Sequence, residues 1–357
     1  MLKKFLCLVL VLMFSVSLVA CGGTDDSSKK SDNANQETKK DEKSDKPVEA
    51  KPVVLKLAHG QPIEGAAHQS LMKMAEEVSE KTNGQVVIEI FPANQLGNER
   101  DVTEGIILGT VDMAWISVGV MENFEPKFSI FSLPFMFNDY EHVHKVTEGE
   151  VGSEIFGSLL DSKKLRVLQF FDQGFRFIWN NKGPIESMED LAGLKIRTPE
   201  SPVYVGTFDA LGANPTPIPW GELYTSMQTK VVEGFEVYPE SVIANKMYEV
   251  VKYGSISRHI YAGSVLMINE DVHSKLTSEQ QEILKTAADN SELMNRDMIT
   301  SNEVKFIEEL KTKYDVDVNE IPQEELDKFA ESVKPLYEEY ADKVGGIEII
   351  NKLKATK

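Results

Sequence analysis

A chain of 357 residues with 41% hydrophobic and 27% charged side chains is long enough for two ordinary domains with real cores. Its 38 Lys and Arg against 57 Asp and Glu give a formal charge of −19, which excludes the basic face a nucleic-acid binder needs to displace counterions. Both cysteines, Cys7 and Cys21, stand near the start, so the remainder offers no disulfide, no thiolate metal site and no cysteine nucleophile.

In chain order, Lys3 and Lys4 precede an apolar run from Phe5 to Val19. That run is shorter than the ~20 apolar residues of a spanning helix and has the form of a secretion signal. It ends in Leu18-Val19-Ala20-Cys21-Gly22, the form of a bacterial lipobox, where cleavage falls before the cysteine and its thiol receives diacylglycerol. Residues 1–20 therefore read as a lipoprotein signal peptide and Cys21 as the lipidation site, an anchor with no spanning helix. An ordinary signal with a chance cysteine is the competing reading, and it leaves the position of Cys21 unexplained. From Gly22 to Pro52 the composition turns to Ser, Asp, Asn, Lys, Glu and Gln with no aromatic residue, so residues 21–52 read as the lipidated cysteine and a disordered linker.

Val53–Ala58 reads as a strand, His59–Gly65 as a loop, and Leu71, Met72, Met74, Ala75 and Val78 recur at helical spacing. Asn83-Gly84 marks a turn before a β-branched strand at Val86–Phe91. A helix around Asn98–Leu108 leads to a buried strand at Met113–Val118, which includes Trp115 as a core residue. This β-α-β-α-β rhythm predicts an α/β sheet with ligand sites at the strand ends. Phe124–Phe137 is apolar and loop-like, with Pro126 and Pro134. A second cycle begins near Leu165, with strands at Arg166–Phe171, Phe175–Asn180 and Leu194–Thr198, and Ser201-Pro202 opening a helix over Val203–Leu211.

Residues 248–269 form a nearly unbroken β-type run, several times an ordinary strand's length, that predicts a passage from one domain into the other. Thr277-Ser278-Glu279-Gln280 is a capping box opening a helical pattern that continues to about Tyr314, far beyond the usual helix. A long strand and a long helix crossing between two α/β domains predict a hinged cleft. Val316–Ile321 reads as a further strand. Domain I is drawn at residues 53–173 with 262–301, and domain II at 174–261 with 302–357.

No Gly-x-Ser-x-Gly elbow, Walker loop or Gly-x-Gly-x-x-Gly follows a strand, so no catalytic residue, metal or cofactor is assigned and the chain is not read as an enzyme. His142-x-His144 does not share a helix face and reads as structural. The arginines carry more. Lys supplies 32 of the 38 cations, so an Arg inside an apolar strand points to its planar, bidentate fork. Arg176 alternates with Ile178 and Asn180 on one face, and Arg197 closes the strand Gly193–Thr198 at its carboxyl end. The alternative, an ion pair that holds the fold, weighs more on Arg176 than on Arg197. Trp220, displayed by the Pro-rich run Asn214–Gly221, either stacks on a ligand or seals the domain, and composition favours the seal.

These residues fall in a recognisable order. Lys81-Thr82-Asn83-Gly84, Phe91-Pro92-Ala93-Asn94-Gln95-Leu96-Gly97 and Leu108–Met113 come first, then Leu133–Phe137 with Tyr140-Glu141-His142, and Asp172–Arg176. Leu191–Arg197, Leu211–Pro215, and Gly221–Tyr224 through Gln228-Thr229 to Val232-Glu233-Gly234 follow. The chain resembles the substrate-binding proteins of TRAP transporters, the DctP family, across nearly the whole region from residue 53 to beyond 300. That resemblance implies a two-domain, periplasmic-binding-protein-like flytrap that holds a small organic acid outside the cytoplasmic membrane. It further implies delivery to a two-component permease driven by an ion gradient. By position, Arg197 matches the family arginine that pairs with the substrate carboxylate, and Arg176 a second arginine nearby. Trp220 falls where a ring meets the ligand, and His59, the loop to Glu64, and Ser117 where the first domain adds polar contacts. One departure stands out: Val237 replaces an Asn that many members carry, and Tyr238 is the neighbour able to supply the missing hydrogen bond. A sensory adaptor presenting the same acid to a membrane receptor is the alternative function.

Overall fold

The computed structural model describes residues 51–356. The leader, Cys21 and all but the end of the leash therefore lie outside the described residues. Strands β1 (Val53–His59), β2 (Val86–Phe91), β3 (Met113–Ser117) and β4 (Leu165–Phe175) belong to one sheet. Strands β5 (Phe177–Asn180), β6 (Lys195–Thr198), β7 (Asn214–Pro217), β8 (Gly234–Val237) and β9 (Tyr253–Ile256) belong to a second. The chain then returns to the first sheet as β10 (Tyr261–Asn269) and ends in the second as β11 (Asp317–Glu320). The sheet orders are β2-β1-β3-β10-β4 and β11-β9-β5-β8-β6-β7. β1 pairs in parallel with β2 and β3, and β6 with β7 and β8, so strand carboxyl ends gather at one edge of each lobe.

Helical spacing places Leu71, Met74 and Val78 of the helix Ala66–Lys81 against Leu55 and Leu57 of β1. Trp115 is buried in the same cluster. The helix Pro202–Ala210 opens as expected from its sequence: Ser201 Oγ accepts from the Tyr204 N–H and Pro202 takes the first turn. The Phe124–Phe137 run is more regular than a loop. It folds into short helical turns at Pro126–Phe128 and Ser129–Ser132 that bury Phe128, Ile130 and Phe131.

The chain leaves the first sheet at Arg176 and comes back through 257–260, and these crossings lie side by side, with the Arg176 N–H donating to Ile260 O at 2.9 Å. The 248–269 run is therefore not one strand. It comprises a turn at Met247–Glu249, β9, an irregular crossing with Arg258 at φ +44°, and β10. Ser257, His259 and Ile260 in the gap are all buried, so the apolar pattern runs on through a break it cannot register.

The helix opened by Thr277 has its capping box, with Gln280 N–H donating to Thr277 Oγ1 at 3.2 Å and Thr277 N–H to Gln280 Oε1 at 3.0 Å. It stops at Thr300 instead of continuing to Tyr314, and a second helix spans Glu303–Thr312. At the break Ser301 Oγ donates to Asp297 and Asn302 Nδ2 to Met298 O, while Glu303 turns to Arg258 and the Tyr140 hydroxyl. The first helix packs on β4 and the second on β11, so the break falls where the chain changes lobe. The last two helices, Pro335–Val344 and Ile347–Ala355, which the sequence reading assigned to the second lobe, also meet the first. Tyr337 donates to Pro134 O, the Leu353 carbonyl meets the His142 ring, and Lys352 pairs with Glu150.

Candidate functional site

A small cavity lies where the two lobes meet. Four stations of the first lobe reach it: Gln61 just past β1, Glu99 at the start of the helix Glu99–Ile107, Ser117 at the end of β3, and Gln173 on β4. The second lobe contributes Arg176 at the crossing, Arg197 on β6, Trp220 past β7, and Val237 and Tyr238 at the end of β8. Strand carboxyl ends from both sheets thus converge on one space, the arrangement that open α/β sheets use for ligands.

The two arginines are electrostatically unlike. Arg176 gives Nε to Glu236 Oε2 and Nη2 to Glu236 Oε1 at 2.8 Å and to the Glu236 carbonyl at 2.7 Å. Burial alone would pull its guanidinium down, but the Glu236 carboxylate overrides this and holds it above its ordinary range. In return, Arg176 and His259 keep the Glu236 carboxyl below its usual value despite its burial. His259, held neutral by burial, is hydrogen-bonded through Nδ1 to Ser257 Oγ at 2.7 Å. Arg197 is only 2% exposed, yet among the described residues its single hydrogen bond runs from Nε to Ile218 O at 2.8 Å. Its guanidinium carbon stands 5.5 Å from the Trp220 ring centroid.

Burial brings Arg197 down to about 10, still fully charged near neutral pH. Five of the six arginines meet a carboxylate: Arg100, Arg166, Arg176, Arg258 and Arg296. Among the described residues, Arg197 meets none. A buried guanidinium without an anion is costly, and two of its N–H edges suit a carboxylate supplied from outside.

The structure therefore brings Arg197, Arg176, Trp220, Tyr238 and Ser117 to one cavity, and leaves His59 and Glu64 outside its lining. His59 sits behind the wall: Nδ1 accepts from the Gln61 N–H at 3.1 Å, Nε2 meets His68 Nδ1 at 3.1 Å, and burial lowers its pKa to about 3. Glu64 is exposed and lines a separate hollow with Glu240, Lys246 and Lys305. The loop after β1 turns there, so its polar contact with the cavity comes from Gln61. Val237 lines the wall with an apolar side chain and uses its carbonyl to accept from Trp179 Nε1.

Sequence reasoning missed Glu99, Gln173 and Glu236, and named the loop that carries Gln61 without singling that residue out. Glu236 left a signal: an acid inside the apolar strand Gly-Phe-Glu-Val, on the strand paired with the one Arg176 opens. Glu99 resembled an ordinary first-turn acid. In the fold its Oε1 accepts from the Ser117 N–H at 2.7 Å and its Oε2 from Ser117 Oγ at 2.8 Å, and burial raises its pKa against those bonds. His142 and His144 are bound to the Leu353 carbonyl and to Asp172, respectively.

Residues 57–343 match the family described as bacterial extracellular solute-binding protein, family 7, or DctP. The chain is 32% identical over 314 residues to the C4-dicarboxylate-binding periplasmic protein DctP of Rhodobacter capsulatus, covering 87% of this chain and 92% of that protein. It is 32% identical over 245 residues to the 2,3-diketo-L-gulonate-binding periplasmic protein of Escherichia coli, covering 68% and 74%. Among solved structures, the sugar acid binding protein of Advenella mimigardefordensis in complex with galactonate superposes with a TM-score of 0.82 at 27% identity, covering 86% of this chain and 98% of that one.

Proposed function

The chain belongs to the DctP family of bacterial extracellular solute-binding proteins, and on that footing we propose that it captures a small organic acid by a salt bridge to Arg197. It then hands the acid to a two-component TRAP permease driven by an ion gradient. One observation carries the reading: a buried, cavity-facing arginine that has no carboxylate among the described residues, in a chain whose other arginines are all paired. Both lobes line the cavity, so a ligand there bridges them and favours the closed arrangement. Lobes divided near residues 173 and 261 are part of the proposal, with the final helices also meeting the first. Anchoring through lipid on Cys21, after removal of residues 1–20, would hold the protein beside its permease on the outer face of the membrane.

A thermal-shift panel of ligand-free protein against sugar acids, keto acids, dicarboxylates and aromatic acids tests the substrate class. A ligand at about 100 times its dissociation constant adds about 2.7 kcal/mol, enough to move the melting point by degrees. One acid class is expected to shift it. Silence across the whole panel contradicts the reading.

A further inference from the structure

Two glutamates reach across between the lobes, one in each direction. Glu122 follows the first-lobe turn Val118–Met121, and its Oε2 accepts from Ser201 Oγ at 2.7 Å, at the start of the second-lobe helix Pro202–Ala210. Glu240 lies on the second-lobe helix Pro239–Ala244, and its Oε1 accepts from the Ala66 N–H at 3.2 Å, at the start of the first-lobe helix Ala66–Lys81. These contacts flank the cavity. Ser117 and Gln61 line it a few residues before Glu122 and Ala66, and Pro199 and Tyr238 a few residues before Ser201 and Glu240. Parting of the lobes breaks both contacts and returns both carboxyls to water.

Neither carboxyl finds a cation while the lobes are together. Glu122 Oε1 is buried with no hydrogen-bond partner among the described residues, and Gly119 seals the packing beside it against the Tyr204 ring. The ionisable groups facing Glu122 are Lys343 and Tyr340 on the helix Pro335–Val344 and Tyr204 on Pro202–Ala210. Around Glu240 stand Glu64, Asp172, Lys246 and Lys305, with Tyr238, Tyr248 and Tyr314. Burial outweighs all of these and pushes both carboxyls up to about 7.

We propose that Glu122 and Glu240 make closure of the lobes a proton-binding step: each carboxyl is ionised in water when the lobes are apart and takes up a proton as they come together. The inference rests on the closing cavity of the proposed function and not on which acid fills it. A group whose pKa rises on closure draws the equilibrium towards the closed form as pH falls through that raised value. From pH 8 to pH 6 each glutamate raises the closed-to-open ratio by about tenfold, and the two together by about 100-fold. Carboxylate ligands stay ionised over that range, so capture tightens on the acid side of neutral.

The test is single-molecule fluorescence transfer between dyes on Met72→Cys and Val231→Cys, exposed positions on opposite lobes, in a chain without Cys7 and Cys21. The ligand-free protein is expected to gain closed population steadily from pH 8 to pH 6. Glu122→Gln and Glu240→Gln, which keep an acceptor for Ser201 and Ala66, are each expected to remove about tenfold of that response. The variant with both changes supplies the baseline left by all other titrating groups. A wild-type distribution that is the same at pH 8 and pH 6 overturns the proposal, whether or not the variants fold. So does a folded double variant that follows the wild-type response. No acid is added, so failure here leaves the Arg197 reading standing, and silence of the acid panel leaves this one standing.

Discussion

Arg176 and Arg197 reach one cavity from neighbouring places, and Glu236 engages both carboxylate oxygens with the first while no carboxylate among the described residues pairs with the second. The same low-dielectric interior acts on groups away from the site. Burial pushes the carboxyls of Glu122, Glu240 and Glu292 up to about 7. Glu122 takes a hydrogen bond from Ser201 across the lobes, and Glu240 accepts from the Ala66 N–H at 3.2 Å. A carboxyl whose folded pKa exceeds its unfolded value stabilises the fold while protonated and loses that contribution as pH rises through the folded pKa. His59 and His259 work in the opposite sense. Their folded pKa values are lowered, so they weaken the fold once pH drops below the ordinary histidine value of 6.5. Between about pH 8 and about pH 6.5 the carboxyls dominate, so the melting temperature should rise as pH falls through that window and more gently below it, where the two histidines offset part of the gain from the three carboxyls. Glu122→Gln should flatten the rise. A melting temperature constant across the window would show that these carboxyls are not strained by burial.

Strands such as β1 and β2 were legible because each carries either alternation or a short β-branched run, and helices such as Pro202–Ala210 because their first turns are capped, whereas β7 lay hidden in the Pro-rich run Asn214–Gly221. The breaks were not legible. At 257–260 every residue but one is buried, and at Ser301-Asn302 polar side chains bond back to the preceding turn, so neither interruption leaves a turn-forming signature. Close packing between elements was equally silent. Gly254 on β9 lies under the Trp179 ring of β5, and a Cβ there would stand 2.4 Å from Cζ3. Gly157, inside the helix Glu150–Lys163, has nothing within 4 Å of its Cβ direction. Gly254→Ala should therefore lower stability by about 1–3 kcal/mol through overpacking. Gly157→Ala should raise it by about 0.5–1 kcal/mol through helix propensity. Paired urea denaturation reads both, and a stable Gly254→Ala protein would mean that β9 can slide away from the indole.

At the scale of the whole molecule, three passages of the chain join two sheets around one unpaired cation. Composition and rhythm revealed two α/β lobes with crossing elements, and the strand-end position singled out Arg197. The first lobe's contribution was harder to read, because which loop residue faces inward depends on how the lobes meet. That is why Gln61 and Glu99 line the cavity where His59 and Glu64 were expected. Further contacts close the lobes beyond the site: Asn123 Nδ2 donates to Glu200 O at 2.6 Å, and Gly119 packs against the Tyr204 ring. A ligand reaching Arg197 has to part these contacts and then gains them back, so affinity reports closure as well as the salt bridge.

The most direct test is calorimetric titration of Arg197→Ala and Arg197→Lys with the acid that shifts the wild-type melting point. The account predicts that Arg197→Ala weakens binding by about 100-fold or more, because a desolvated ion pair is lost. Its ligand-free melting point should stay level or rise, because an unpaired buried charge is gone. Arg197→Lys should recover part of the affinity, keeping the charge without the bidentate fork. An Arg197→Ala protein that binds the acid with wild-type affinity would contradict the account.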